Sequence, residues 1–179
     1  MVQINTENIV TLEVAKKDEL SKFKRDLQES FAVAVIETFG SVLDGPIPSD
    51  EDIDASFNTP GAVIYHILSN GKRVGGAVVV IDETTQYNSL HLLFVSKGEH
   101  SHGVGYKAWK AIEEKHPETK IWETHTPYFE KRNIHFYVNK CGFKIVEYFN
   151  KNHPDPHMTE GEDLAGEEDF FRFEKVMKE

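Results

Sequence analysis

Two glycines, Gly103 and Gly105, lie where an apolar run ending at Val95 gives way to a helical pattern that begins near Val104. Glycine allows a ligand to approach the backbone closely, and the first N–H groups of a helix are unpaired at the positive end of its dipole. A strand, a glycine turn and a helix in this order are typical of a phosphate or pyrophosphate site. The same glycines could also serve only a tight connection, so the surrounding elements must decide.

A dinucleotide is one cofactor class that fits this turn. Residues 103–108 read Gly-Val-Gly-Tyr-Lys-Ala, which matches the dinucleotide fingerprint with alanine in its last place, and Glu123 follows where a ribose-binding acid would lie. That fingerprint normally follows its strand almost at once, whereas seven residues separate Val95 from Gly103 here. The alternative function is therefore an NAD- or FAD-dependent oxidoreductase that uses Gly103, Gly105, Ala108 and Glu123.

Helical and strand patterns predict one mixed α/β domain over residues 1–179. Asn70 and Gly71 join two β-branched runs, which predicts an antiparallel hairpin. We expect six or seven strands, four main helices and an exposed loop over residues 150–168. The predicted helices cover residues 18–39, 50–57, 104–116 and 129–141, and the predicted strands cover residues 62–68, 74–81, 90–95, 120–125, 143–149 and 170–176.

The composition restricts the classes of partner. A net charge of −10 would repel phosphate backbones and anionic lipid, so nucleic acid and membrane are not expected as partners. The single cysteine, Cys141, cannot form an internal disulfide, and the sequence does not begin with a secretory signal, which together predict a cytoplasmic protein. His153 and His157 lack the spacing of a strong zinc site, so no metal is expected.

The sequence resembles the GNAT superfamily of N-acetyltransferases over nearly its whole length. Val95 takes the strand-end valine of the family's acetyl-CoA turn, Gly103 and Gly105 take its later glycines, and His100 stands where arginine or glutamine is usual. The order of the elements also fits. The pair Gly142 and Phe143 then opens a strand, as in the family's late Gly-Phe signature.

This resemblance implies an α/β (α+β) fold with a mixed, centrally splayed sheet and an acetyl-CoA site at its centre. The pantetheine arm would lie between the strand ending at Val95 and the strand at residues 120–125, and Asn133 would bond it. The cofactor-binding residues that the resemblance implies are Phe94, Val95, His100, Ser101, His102, Gly103, Val104, Gly105, Tyr106 and Asn133.

The implied activity is direct transfer of the acetyl group of acetyl-CoA to a primary amine of a small molecule or peptide. Tyr137 is the predicted general acid. The family's tyrosine position falls on Val138, so Tyr137 would face another way unless its helix carries a bulge. For the base, Glu123 ranks first, His91 second and His125 third, and strand alternation puts Glu123 and His125 on one face.

Two further expectations concern the whole molecule. Because position 138 is not tyrosine, a module that binds CoA without catalysis is a further alternative. A homodimer is expected by analogy with this architecture. The acceptor's identity depends on residues 45–58 and 150–168, where the sequence carries no recognisable motif.

Overall fold

The computed structural model describes residues 7–40, 46–96, 98–99, 103–157 and 169–178. Its helices are α1 (Leu20–Phe39), α2 (Asp50–Asn58), α3 (Val104–Lys115) and α4 (Lys131–His135), and a π-helical turn (Phe136–Lys140) continues α4. Its strands are β1 (Val10–Val14), β2 (Ala62–Ser69), β3 (Lys72–Val80), β4 (Tyr87–Val95), β5 (Ile121–Pro127), β6 (Lys144–Phe149) and β7 (Phe170–Val176). None of the helices within these ranges is long and apolar enough to cross a membrane.

The seven strands form one sheet in the order β1-β2-β3-β4-β5-β7-β6. Only β4 and β5 pair in parallel, and every other neighbouring pair is antiparallel. The β2–β3 hairpin turns at Asn70 and Gly71, which both have positive φ as a two-residue turn of this kind requires. The predicted mixed sheet of six to seven strands with four helices is therefore confirmed.

Several element boundaries differ from the predictions. The sequence analysis did not predict β1, because this short segment becomes a strand only by pairing with β2. The first helix begins at Leu20 rather than at residue 18, since Lys17–Glu19 forms a 3-10 turn. β4 begins at residue 87 and β5 ends at residue 127, so both strands are longer than predicted. Of the loop predicted at residues 150–168, residues 151–154 are exposed, and residues 158–168 lie outside the described residues.

Two apolar clusters cover the two faces of the sheet. On one face α3 packs Trp109 against Trp122 of β5, with ring centroids 5.2 Å apart, and Phe143 and Phe173 complete that cluster. On the other face α1 and α2 contribute Phe23, Leu27 and Ile53, which pack against Val78 and Phe94. Large side chains therefore pack against both faces of the central strands.

The sheet opens between β4 and β5. The two strands pair from Tyr87↔Ile121 to Leu90↔Thr124, and there the register ends although both strands continue. His91 forms a bulge at this point, because Leu90 pairs with Val79 and Leu92 with Val78. The Thr124 hydroxyl donates a buried hydrogen bond of 2.9 Å to the Leu90 carbonyl at the last pair. We call this pair the vertex of the opening.

A Thr124→Val substitution tests whether the vertex depends on that hydrogen bond. Valine keeps the shape but removes the donor from a side chain that is 2% exposed. We expect the free energy of unfolding to fall by about 1–3 kcal/mol, which is the usual cost of removing one partner of a buried hydrogen bond. Chemical denaturation with an unchanged m-value measures this loss.

Thr126 supplies a matched control for that measurement. It lies two residues further along β5 on the same face, is 3% exposed, and makes no side-chain hydrogen bond within the described residues. Thr126→Val should therefore change the free energy of unfolding by much less than Thr124→Val. Equal losses in the two variants would contradict a special role for the Thr124 hydroxyl at the vertex.

Candidate active site

A cavity of about 970 Å³ lies beside residues 93–95 of β4, beyond the last residue of that strand that pairs with β5. Its walls come from α1, the end of β4, the start of α3 and residues 129–140. It brings together seven of the residues that the sequence singled out, namely Phe94, Val95, Gly103, Gly105, Tyr106, Asn133 and Tyr137. The glycine turn, the end of β4 and the predicted acid therefore face one volume.

The remaining predicted cofactor residues are placed differently. The Val104 side chain is fully buried in the cluster beside Trp109, so at this position only the backbone could reach a ligand. His100, Ser101 and His102 lie outside the described residues.

The start of α3 has the geometry that the glycine turn predicted. Gly103 is the N-cap with φ of 66°, a left-handed conformation that glycine adopts without strain. The N–H groups of the first helical turn follow it, and α3 is long enough to present the positive end of a dipole. A Cβ at Gly105 would lie 3.5 Å from the Phe136 ring, which is an ordinary contact.

Tyr137 lies in the π-helical turn. The Cys141 N–H donates to the Phe136 carbonyl five residues earlier at 3.0 Å, which is the bond of a π-helix. The bulge on which the Tyr137 prediction depended is therefore present. The ring is 7% exposed, packs against Phe143 and Phe173, and lines the cavity. Burial raises the pKa of the Tyr137 hydroxyl, whereas a hydrogen bond with Thr124 at the vertex lowers it.

The three candidate bases lie on the other face of the sheet. Trp122 and Thr124 of β5 point to the side of α3, so Glu123 and His125 point to the side of α1 and α2, as the alternation predicted. His91 at the bulge lies 3.4 Å from the Ser56 hydroxyl of α2 through its Nδ1. None of the three residues lines the cavity. In particular, Glu123 lies away from the glycine turn, where the oxidoreductase alternative needs a ribose-binding acid.

The pKa values of His91 and His125 are shifted in the same direction. Surrounding protein atoms displace water and lower the pKa of His91 and of His125. The charge of Glu123 opposes this shift at both residues, and its Oε1 lies 3.9 Å from Nδ1 of His125. Both imidazoles are therefore predominantly neutral at neutral pH, which is the state in which a base can accept a proton.

Arg172 of β7 organises the charges on that face, and the sequence did not single it out. Its guanidinium bonds Glu174, lies 3.0 Å from Glu147 and lies 3.4 Å from Glu123. Glu147 also bonds His153 at 2.9 Å. These residues come from three different strands, so no local motif of the sequence groups them. The sequence could indicate only which face of its own strand each residue occupies.

Two carboxyl groups of the cavity were also missed. Glu130 follows β5, is 6% exposed and lines the cavity, and Glu37 of α1 lines it as well. Cys141 is buried behind the cavity, and burial raises its thiol pKa to about 12. Within the residues described, no group of three or more His, Cys, Asp or Glu side chains is arranged to hold a metal ion.

Comparisons with known proteins agree with this geometry. A model of the acetyltransferase (GNAT) family matches residues 25–143. The uncharacterized protein YrkN of Bacillus subtilis (strain 168) is 59% identical over 174 residues, covering 94% of each chain. Among solved structures, a GNAT family acetyltransferase from Elizabethkingia anophelis with acetyl-CoA bound has a TM-score of 0.64 and 17% identity, covering 94% of this chain and 98% of its own.

A second solved structure extends the comparison. The ribosomal-protein-S18-alanine N-acetyltransferase from Escherichia coli has a TM-score of 0.63 and 13% identity, covering 96% of both chains. At these identities the two structures show a shared fold. The family match covers most of the chain and includes the glycine turn and Tyr137, which confirms the predicted family and enzyme class. The chain belongs to the GNAT acetyltransferase family.

Proposed function

We propose that this protein transfers the acetyl group of acetyl-CoA directly to a primary amine. The observation that carries the proposal is one cavity lined by the glycine turn of α3, the end of β4 beyond its pairing with β5, and Tyr137. The pantetheine arm is an extended chain with two amides, which suits a space between diverging strands. The pyrophosphate would bind the N–H groups at residues 103–106, and Asn133 would bond the pantetheine arm.

The reaction needs a neutral amine, an oriented thioester and a proton for the departing sulfur. The amine nitrogen bonds the carbonyl carbon, the bond from that carbon to sulfur breaks, and the thiolate takes the proton of the Tyr137 hydroxyl. The raised pKa of Tyr137 keeps this hydroxyl protonated at neutral pH. The same water-poor surroundings make a thiolate more basic, which favours its protonation.

The proton of the amine would leave on the opposite face of the sheet. His91 is the bulge residue beside the vertex, and its lowered pKa supports a role as base at neutral pH. Glu123 is held by Arg172 and raises the pKa of His91 by its charge. We therefore propose that His91 takes the proton, directly or through water, and that Glu123 and His125 adjust its basicity.

Other features of the sequence analysis also stand as proposals. β1 near one end of the chain and β7 near the other belong to one sheet, which supports a single domain over residues 1–179. The acceptor is a small-molecule or peptide amine. The cytoplasmic location and the homodimer remain predictions of the sequence.

The cofactor site is tested by calorimetric titration with acetyl-CoA, CoA and NADH. We expect saturable binding of acetyl-CoA and CoA and none of NADH. Gly105→Glu puts a carboxylate beside the helix N-terminus and should weaken CoA binding at least tenfold, since it repels the pyrophosphate. Gly105→Ala is the matched control, because its methyl group makes only an ordinary contact with Phe136. NADH binding without CoA binding would instead favour the oxidoreductase alternative.

Tyr137→Phe tests the general acid. Thiol release from acetyl-CoA is followed with a panel of primary amines. We expect kcat to fall by about 10²–10⁴-fold, the range that general acid–base groups contribute, with little change in the KM of acetyl-CoA. Tyr87→Phe is the control, since Tyr87 is exposed at the far end of β4. Retention of most of the activity in Tyr137→Phe would show that Tyr137 is not the general acid and contradict our assignment.

The pH profile of kcat/KM tests the base. Activity requires neutral His91, so it should fall with decreasing pH, and the lowered pKa places this acidic limb below pH 6.5. Glu123→Gln removes a charge that raises the pKa of His91, so the limb should move to lower pH. His91→Gln should abolish the limb together with most of the activity. Loss of the limb in Glu123→Gln but not in His91→Gln would make Glu123 the base.

A further inference from the structure

Glu130 is a buried carboxyl group of the cavity that raises the pKa of Tyr137 by its charge but takes part in no step of the proposed chemistry. Its backbone is satisfied, because its N–H donates to the Pro127 carbonyl and its carbonyl accepts from the Ile134 N–H. The residue is 6% exposed, and its carboxyl group has no hydrogen bond or ion pair among the residues that the structure describes. Its oxygens are not among the fully buried unpartnered atoms of those residues. It lines the cavity, so its open side faces the space that a substrate would fill.

The cations near Glu130 do not neutralise it. Arg132 is close enough to lower the pKa of Glu130 but lies beyond ion-pair distance. The Lys131 ammonium group lies 3.1 Å above the Tyr128 ring and is held there. Buried carboxyl groups are normally paired, because an isolated buried charge is costly. The absence of a partner within the described residues therefore points to a partner that arrives with the ligand.

Glu37 adds a second carboxylate to the same cavity. It comes from the last turns of α1 and lines the cavity together with Glu130, whose pKa its charge raises. Two carboxyl groups that face one ligand space create a negative potential there, which attracts a cation. The walls of the same cavity include Phe31, Leu93 and Phe136, which suit a chain of methylene groups.

We propose that the acceptor is an aliphatic amine with a second positive charge, and that Glu130 binds this second charge with support from Glu37. The inference rests on the proposed acetyl transfer and names its substrate class. One amino group of the acceptor reaches the thioester near the vertex, and the other is held by the buried carboxylate. In the empty protein burial raises the pKa of Glu130, and a bound ammonium group favours its ionised form.

Equilibrium binding tests this inference without requiring turnover. The probes are 1,4-diaminobutane and 1,6-diaminohexane, and the matched monoamines are butylamine and hexylamine, each titrated calorimetrically into the CoA-saturated protein. We expect at least one diamine to bind tenfold or more tightly than its monoamine. In Glu130→Gln this preference should vanish, whereas Glu37→Gln should reduce it by a smaller factor. The absence of any preference in the unsubstituted protein would overturn the inference.

Two controls separate binding from structure. Glu29→Gln removes a carboxylate from the exposed side of α1, away from the cavity, and should leave the preference unchanged. Glu130→Gln should be at least as stable to heat as the unsubstituted protein, because it removes an unpaired buried acid. A marked fall in its Tm would assign Glu130 a structural role and overturn the inference.

The same titrations distinguish this inference from the proposed function. CoA binding that is unchanged in Glu130→Gln agrees with an acceptor role. Weaker CoA binding in that variant would assign Glu130 to the cofactor and overturn the inference, while acetyl transfer would stand. If the unsubstituted protein binds neither CoA nor acetyl-CoA, the proposed function itself fails, and the inference that rests on it fails with it.

Discussion

The parting of β4 and β5 is the constraint on which the site depends. Two parallel neighbours would normally continue to pair, but a bulge at His91 reverses the alternation of β4 after Leu90. Leu90 therefore packs beside Trp109, whereas Leu92 packs on the opposite face. β5 keeps its other edge in register with β7 over its full length, so it can leave β4 without leaving the sheet. The cavity lies beside the end of β4 that this divergence leaves unpaired with β5.

Burial shifts the pKa values of side chains on both faces of the sheet. Removing water disfavours whichever form of a group is charged. It therefore raises the pKa of Tyr137 on the cavity side and lowers the pKa of His91 and His125 on the other side. Both kinds of side chain are kept neutral near neutral pH, the phenol as a donor and the imidazoles as acceptors. A neutral phenol and neutral imidazoles are thus held on opposite faces of one sheet.

Features that depend on neighbouring residues could be predicted from the sequence, and features that depend on distant pairing could not. Asn70 and Gly71 specify their hairpin turn, and the glycines of α3 specify where that helix begins, since both act through local φ. β1 becomes a strand only beside β2. Arg172 meets Glu147 and Glu123 only after three strands have paired in register. The burial of Glu130 depends on how the segment after β5 packs, which no motif of that segment reveals.

The position of Tyr137 shows how a backbone irregularity can offset a mismatch in motif spacing. On a regular helix, residue 137 lies about 100° away from residue 138, which would turn the phenol from the place where the resemblance expects it. A π-helical turn contains one additional residue, so it shifts every residue before it by that angle relative to the residues after it. The hydrogen bond from the Cys141 N–H to the Phe136 carbonyl spans Tyr137 and ends directly before the Gly-Phe pair that fixes the motif's register. The argument for a module that binds CoA without catalysis was that position 138, counted back from Gly142, carries no tyrosine. The additional residue of the π-helical turn falls within this interval, so the argument loses its geometric basis.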